Sequence, residues 1–502
     1  MVQSEALVGV ELRGRDPVAA AAIAQLPLVV DMDGTLLRTD TLYECFAAAV
    51  FNRPIDAVVA SARLFVSGIA AYKKRLSDIA DLDCANLPLN EPLADYLKQE
   101  AARGRPIHLA TAADRSIAEA VARRLDVFAS IHASDGTGNL KGPRKAERLR
   151  EAFPQGFVYA GDCAADLAVW RQAAGAVIVS SDEGLARQVS ASGVPIERAF
   201  SPMTGGWRAW AKAARPHQWA KNGLVMVPVI LGFHLLTPRD ALDAVAAMAL
   251  LCALASYTYM LNDIADLAAD RRHWTKSKRP FASGALPVEQ GLIAAAIGIP
   301  LLLGLGFWLS AGAGLCLLAY LVLTLAYSFG LKRVPMLDVT VIATLFTLRL
   351  ALGMTAAGQV WAPWLLTFSM FFFFSLAIAK RHTELLRAAA SGSGHSDDGM
   401  VHGRGYHVED NDVTMAFGVS AAIASIVILV LYLTDEVFAH AQYAHPQWLW
   451  FTPAMVFLWT ARVWLLSHRG QMTDDPVIFA LRDRISLALG VVVAAAFVAA
   501  AL

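Results

Sequence analysis

The sequence lacks most of what marks a secreted or nucleic-acid-binding protein. Only five cysteines occur in 502 residues (Cys45, Cys84, Cys163, Cys252 and Cys316), scattered and without metal-ligand spacing. That excludes a disulfide framework and a thiolate cluster, and it fits a reducing compartment. Net charge is absent too, because 43 Lys and Arg balance 43 Asp and Glu, so no electrostatic case for nucleic acid exists. The first 25 residues carry Glu5, Glu11, Arg13, Arg15 and Asp16 and no apolar signal-peptide core. The N-terminal part is therefore expected to stay where it is synthesised. No repeat of solenoid period is visible. His382, His395, His402 and His407 lack a tight ligand spacing, which argues against a histidine-held metal.

What is abundant is apolar surface, unevenly placed. Hydrophobic residues make up 56% of the chain, and beyond about residue 218 they gather into runs of membrane-spanning length. The approximate cores are 222–236, 241–261, 288–308, 311–329, 338–358, 362–379, 414–434, 447–466 and 484–502, which predicts about nine spans. Charge alternates between them. Arg271, Arg272, Lys276, Lys278 and Arg279 follow the second span, and Lys332 and Arg333 the fourth. Lys380, Arg381, Arg387 and Arg404 follow the sixth, and Arg469 and Arg482 the eighth. The other loops hold almost no Lys or Arg beyond Arg239. By the positive-inside rule the basic loops and the N-terminal part are cytoplasmic and the C-terminus is outside. A multi-pass protein of the inner, plasma membrane is expected. The Gly/Ser/His-rich stretch 391–405 is too polar to span and reads as a cytoplasmic loop. The chain is thus expected to be multidomain: an α/β, Rossmann-like domain over residues 1–200, then an all-α polytopic membrane bundle over 201–502.

The α/β part carries its chemistry at strand ends. Leu28-Val29-Val30 runs into Asp31-Met32-Asp33-Gly34-Thr35. A buried parallel strand delivers such residues to the crevice where ligands bind. One aspartate can attack phosphorus and the other can shuttle a proton. Ile107-His108-Leu109-Ala110 ends in Thr111, a hydroxyl suited to a phosphate oxygen, and Lys145 lies on a helical stretch and can balance charge. Phe157-Val158-Tyr159-Ala160 ends in Gly161-Asp162, with Asp166 four residues on, so Asp162 and Asp166 can complete a Mg²⁺ site with Asp31. In this order the residues resemble the haloacid dehalogenase superfamily of phosphatases, over roughly residues 25–200. The resemblance implies Asp31 as nucleophile, Asp33 as general acid and base, and Thr111 and Lys145 as phosphoryl ligands. It also implies one Mg²⁺ on Asp31, Asp162 and Asp166, and a helical cap over about residues 41–95. Lys141 is the alternative lysine, and a catalytically dead regulatory domain is the alternative role.

The membrane part concentrates its charge where the second span ends, in Asn262-Asp263-Ile264-Ala265-Asp266-Leu267-Ala268-Ala269-Asp270. Asn262, Asp266 and Asp270 are spaced four apart and Asp263 lies three before Asp266, so one helix face is expected to hold all four. Charge at bilayer depth is costly and marks a site. Clustered carboxylates of this kind hold Mg²⁺, which grips a diphosphate. Cations such as Arg271, Arg272 and Arg279 can then cover the remaining phosphate oxygens. Tyr327-Ser328, Lys332, Arg333 and Asp338 form a second cytoplasmic constellation. Lys276 and Arg333 are equally explained as topological anchors.

Together these elements resemble the UbiA superfamily of intramembrane transferases, over roughly residues 208–502. The pattern departs from aromatic prenyltransferases, whose second motif has two aspartates four apart, because Asp338 here is followed by Ile342. Arg215-Pro216-His217-Gln218-Trp219-Ala220-Lys221-Asn222, Tyr327 to Lys332, Asp338 and Arg349 resemble its decaprenyl-phosphate phosphoribosyltransferase branch. That implies phosphoribosyl pyrophosphate as donor and a polyprenyl (decaprenyl) phosphate as acceptor. At least one Mg²⁺ would sit on Asp263, Asp266 and Asp270. Asp263 and Asp266 would be catalytic, and Asn262, Lys221, Arg279, Tyr327, Lys332, Asp338 and Arg349 would bind substrate. Arg381, Arg404 and Tyr406 are further candidates.

The fusion suggests a bifunctional enzyme whose phosphatase removes the 5-phosphate left by phosphoribosyl transfer, in a step of cell-wall precursor biosynthesis. The alternatives are transfer from a prenyl diphosphate to an aromatic or other small acceptor, and a transporter or lipid-binding protein with a regulatory phosphatase. Self-assembly is compatible with the sequence.

Overall fold

β1 (Leu28–Val30) is apolar at every position, and all three of its side chains are fully buried. A parallel strand covered on both faces requires that composition. Its neighbours are β2 (Ile107–Asp114) on one side and β4 (Val158–Gly161) on the other. With β3 (Phe128–Ser134), β5 (Gly175–Val179) and β6 (Ile196–Phe200), the sheet order is β3-β2-β1-β4-β5-β6, parallel throughout. Leu28 and Val30 pack into one layer with Leu93, Leu97 and Val121, while Val29 packs into the other with Phe157, Tyr159 and Trp170. Each such side chain contributes about 1.5–3 kcal/mol on burial. The strand order reverses between β1 and β4, the place where open α/β sheets bind ligands.

The computed structural model describes residues 23–136, 138–201, 205–232, 236–391, 405–439, 443–472, 479–480 and 482–502. Arg404, His395, His402 and the extreme N-terminus lie outside them. The chain divides into two bodies: the part up to Ala214 together with Tyr259–Ala295, and Arg215–Thr258 with Ala296–Leu502.

In the first body, helices Thr41–Asn52 and Pro54–Ala80 stand between β1 and β2, where a cap is expected. The first starts because the Asp40 carboxylate accepts the Leu42 N–H at 2.8 Å, and the second because Pro54 fits a helix N-terminus. Glu44, on the first helix, is 2% exposed and takes a bidentate ion pair from Arg271, at 2.5 and 3.1 Å. Thr39 Oγ1 donates to the same carboxylate at 2.6 Å, and Arg271 Nε donates to the Ala282 carbonyl at 3.2 Å. The loop after Ala282 closes on the α/β domain through Gly284, whose φ is +69°. A Cβ there would lie 2.7 Å from the Arg38 carbonyl, so only glycine fits.

Eight helices among the described residues are long and apolar enough to span a bilayer: Pro238–Ala265, Val288–Leu309, Ala311–Phe329, Leu337–Ala356, Pro363–Ala389, Val408–Phe438, Pro446–His468 and Arg484–Ala501. They coincide with eight of the nine expected spans. The remaining one, at 222–236, is built differently: a 3₁₀ helix Pro216–Met226 followed by the short α-helix Val227–Leu231. Gly223, Pro228 and Gly232 interrupt the α-helical ladder there. The apolar part of it, 222–231, rises only about 17 Å, short of the roughly 30 Å of a hydrocarbon core.

Inside the second body, Val339, Ala343 and Phe346 pack with Phe373, Ala377, Ile378 and Trp464. Buried hydroxyls join the helices: Trp464 Nε1 donates to Ser375 Oγ at 3.0 Å, and Ser375 Oγ donates to the Gly418 carbonyl at 2.8 Å. Small residues and such bonds are what hold helices together where lipid offers no hydrophobic drive.

Removing one partner of the buried Glu44–Arg271 pair leaves an uncompensated charge. Glu44→Ala is expected to destabilise the first body by about 3–5 kcal/mol. A thermal or denaturant transition of the detergent-solubilised protein measures this, and Glu44→Leu with Arg271→Met should recover most of the loss.

Candidate active sites

The first site lies at the strand switch point. The Asp31 N–H donates to the Ala160 carbonyl at 2.9 Å, which sets the end of β1 beside the end of β4. Gly34 follows in a left-handed turn, φ +74°, and a Cβ there would collide with the Asp162 carboxylate. Asp31 Oδ2 is 2.9 Å from Lys145 Nζ, and Asp31 Oδ1 accepts the Met32 N–H at 2.8 Å. Lys145, on helix Pro143–Ala152, also donates to the Tyr159 hydroxyl at 3.0 Å. That hydroxyl in turn donates to Asp166 Oδ1 at 3.0 Å. Thr35 Oγ1 donates to Asp162 Oδ1 at 3.1 Å. Asp31, Asp33, Lys145, Asp162 and Asp166 line one cleft of about 350 Å³. Thr111 is fully buried, is not among the residues that line this cleft, and accepts the Ala113 N–H at 3.0 Å. Lys141, the alternative lysine, also lines the cleft but is exposed and makes no contact with Asp31 among the described residues.

The electrostatics separate the roles. Burial, then the neighbouring Asp40, pushes Asp33 up to about 7, so it holds a proton near neutrality. Its Oδ1 accepts the Thr41 N–H at 2.9 Å, which ties it to the cap. Burial also raises Asp31, and Lys145 works against that rise. Burial would lower Lys145, but Asp31 and Asp166 outweigh it and hold its pKa above the ordinary value. Asp162 is pushed up to about 8 by burial, with Asp166 and Asp31 adding repulsion. Three carboxylates with so little countercharge have the donor chemistry of a divalent-cation site. Oxygens of Asp162 and Asp166 with Cys163 Sγ lie within 4.8 Å of one another. Cys163 is pushed up to about 12 by burial and Asp166, which keeps it a thiol and leaves the carboxylates as the ligands that fit Mg²⁺.

The second site is the acidic motif, also in the first body. Helix Pro238–Ala265 and helix Leu267–Arg272 meet at Asp266, where φ is −93° and ψ 10°. The turns nevertheless continue, since Asp266 N–H donates to Asn262 O at 3.0 Å and Asp270 N–H to Asp266 O at 2.8 Å. The bend splits the expected single face. Asp263 and Asp270 are buried, at 3% and 1% exposure, Asn262 is half-buried, and Asp266 is exposed. Between the buried pair sits Arg279, whose Nη1 is 3.1 Å from Asp263 Oδ1 and 2.6 Å from Asp270 Oδ2. A cation is what these two carboxylates hold, and the guanidinium stands in for one. Arg271, by contrast, is closed off by Glu44 and is not available to a phosphate.

In the second body, Asp338 is fully buried and joins two of the further candidates. Arg381 Nε is 2.9 Å from its Oδ2, and the Tyr406 hydroxyl donates to its Oδ1 at 2.7 Å. Arg381 also reaches Glu384 at 2.6 Å and the Tyr327 hydroxyl at 3.5 Å. Arg349 Nε donates to Asn222 Oδ1 at 3.0 Å, and its guanidinium lies 4.9 Å from the Phe346 ring centre. Lys221 adjoins Asn222 in the chain, and Lys332 is half-buried. Tyr159, Thr35, Glu384 and Asn222 were not among the expected site residues. Tyr159 alone left a trace, as a tyrosine in an otherwise apolar buried strand.

Two family profiles match the chain. The one described as UbiA prenyltransferase family covers residues 225–488, and the one described as haloacid dehalogenase-like hydrolase covers residues 28–171. A Sinorhizobium fredii protein, "Uncharacterized protein y4nM", is 40% identical over 476 residues, which are 95% of this chain and 91% of that one. Nodulation protein NoeC of Azorhizobium caulinodans is 33% identical over 287 residues, 55% of this chain and 88% of its own length. Decaprenyl-phosphate phosphoribosyltransferase of Corynebacterium glutamicum is 37% identical over 186 residues, 36% of this chain and 56% of that protein.

Hydrolysis of an alkyl phosphate should fall as pH rises through about 7, where Asp33 loses the proton it gives to the leaving oxygen. p-Nitrophenyl phosphate, whose leaving group needs no proton, should show a shallower limb in the same pH–rate series. Tyr159→Phe removes the bridge between Lys145 and Asp166 and should lower turnover about tenfold, which steady-state assays check.

Proposed function

Because the chain belongs to the UbiA prenyltransferase family and carries an N-terminal haloacid dehalogenase-like hydrolase domain, we propose a bifunctional membrane enzyme. It transfers phosphoribose from phosphoribosyl pyrophosphate to a polyprenyl phosphate, then removes the 5-phosphate of its product. One observation carries this reading. Asp338, where a second metal-binding motif would stand, is closed by Arg381 and Tyr406. With one acid there, and that one already answered, a two-metal clamp on a prenyl diphosphate is disfavoured, which supports the acidic motif as the single metal–diphosphate site. The partial identity with decaprenyl-phosphate phosphoribosyltransferase supports it.

In the transfer step, a lipid phosphate oxygen attacks the anomeric carbon, and the electron pair of the breaking C–O bond leaves with pyrophosphate. Charge builds at that carbon without a proton to move, so positioning and electrostatics supply the rate. Arg279 pairs diphosphate oxygens when it turns from Asp263 and Asp270. Lys221, Lys332 and Arg349 hold the phosphates of donor and acceptor, Arg349 being set by Asn222. Asn262 orients the acidic face, and Tyr327 shares Arg381 with Asp338. In the second step Asp31 attacks phosphorus, Asp33 gives its proton to the departing ribose oxygen, and Asp33 then takes a proton from the water that frees phosphate. Thr111 and Lys145 hold the phosphoryl oxygens meanwhile. Bound Mg²⁺ would neutralise charge on the diphosphate at Asp263, Asp266 and Asp270, and on the phosphoryl group at Asp31, Asp162 and Asp166.

The spans make this an integral membrane protein. The alternation of charge between the spans supports a cytoplasmic side for the basic loops and the α/β domain, so that the product need not cross the bilayer.

Purified protein should make a labelled lipid from phosphoribosyl pyrophosphate and polyprenyl phosphate. Asp263→Ala should abolish that lipid, and Asp31→Asn should let its 5-phosphate form accumulate. Absence of that intermediate in Asp31→Asn would refute the coupling and leave the transfer intact. Prenyl diphosphate should compete weakly; strong competition with prenylation of a small acceptor would favour the prenyltransferase alternative.

A further inference from the structure

The cleft around Asp31 is not built from the α/β domain alone. Gly284, Pro287 and Glu289, which follow the acidic motif in the chain, line it together with Asp31, Asp33 and Lys145. The glycine turn against Arg38 and the Glu44–Arg271 pair fix this wall in place. Arg38, Lys73 and Lys141 also face the cleft and give it the cationic lining that a phosphate ester needs.

Glu289 does not fit that purpose. It is half-buried at the first turn of helix Val288–Leu309 and has no ion pair among the described residues. Asp40 lines the same cleft, so a second carboxylate faces Glu289's side of it. A carboxylate repels a phosphate but accepts hydrogen bonds from hydroxyls, and two neighbouring hydroxyls match its two oxygens.

We propose that Glu289 is a specificity-determining residue of the phosphatase, accepting hydrogen bonds from the vicinal hydroxyls of a pentose 5-phosphate. The membrane-domain segment 284–289 thereby forms part of the phosphatase substrate site. This rests on the phosphoribosyl-lipid reading for the identity of the sugar, and it adds the residue that recognises it. The α/β domain then discriminates its substrate only with this segment in place.

The full-length protein, assayed with soluble ribose 5-phosphate and 2-deoxyribose 5-phosphate, tests this without any lipid. The two esters share a leaving group and differ by one hydroxyl. The wild type should favour the ribo form in kcat/KM by about tenfold or more, mainly through KM. Glu289→Ala should erase the preference, and the isosteric Glu289→Gln should keep only part of it. Equal losses on both esters would make Glu289 merely structural and overturn the proposal. So would a wild type that does not discriminate. Lipid synthesis, measured separately, keeps the readings apart: a protein that discriminates the sugars yet makes no phosphoribosyl lipid would sink the transferase reading alone.

Discussion

A carboxylate taken out of water must face a cation, and that constraint organises this chain. Asp31 faces Lys145, Glu44 faces Arg271, Asp263 and Asp270 share Arg279, and Asp338 faces Arg381. Stripping water from any of these ions costs several kcal/mol, and the partner's attraction repays it only when geometry is good and further hydrogen bonds complete the shell. Each pair meets that condition differently. Glu44 gains Thr39, Asp338 gains Tyr406, and Asp31 gains the Met32 amide. The pairs nevertheless serve different ends. Glu44–Arg271 is closed on both sides and reads as structure. At Asp31 and at Asp263 the resident cation belongs to a side chain that can also take a phosphate oxygen.

That distinction explains what was legible in the sequence. Strand-end aspartates are local signals, because a three-residue apolar strand that terminates in Asp can deliver it only to the sheet edge. The placement of Asp31 and Asp162 at one sheet edge was therefore readable in the sequence, whereas the choice between Lys145 and Lys141 was not. Spans were readable for the same reason, since length and hydropathy are properties of a contiguous segment. The segment 222–236 misled because its apolar content matched a span while Gly223 and Pro228 favoured a tighter helix. The shared face of the acidic motif was half legible. Spacing by four aligned the residues, but the bend at Asp266 turned that side chain outward and left Asp263 and Asp270 inside.

Long-range partners were not legible. Arg271 looked like a phosphate ligand because it follows the acidic motif, yet it pairs with a glutamate 227 positions earlier. Nothing in either local sequence encodes that choice. Tyr159 carries its meaning only through Lys145 and Asp166, which meet on its hydroxyl from different elements. Arg381 and Tyr406 were candidates with no partner legible in the sequence, and the fold buries both against Asp338. A charge of known sign can be read in a sequence; whether it is already answered by another charge is a property of the fold.

The stretch Tyr259–Ala295 has an architectural consequence. It begins in the acidic motif, passes through Arg279, and ends at the wall of the phosphatase cleft, all within the first body. Gly284 follows Arg279 by five residues, so at most about 18 Å of extended chain separates Arg279 from that wall. Arg279 is held by Asp263 and Asp270. Gly284 cannot yield easily, because its left-handed turn lies against the Arg38 backbone and Arg271 is anchored to the cap. Two chemistries fused in one chain need no coordination if their sites are independent. Here the arginine held by Asp263 and Asp270 and one wall of the cleft around Asp31 lie on a single short segment anchored through Arg271 and Gly284, and the order of the segments along the chain is what makes it so.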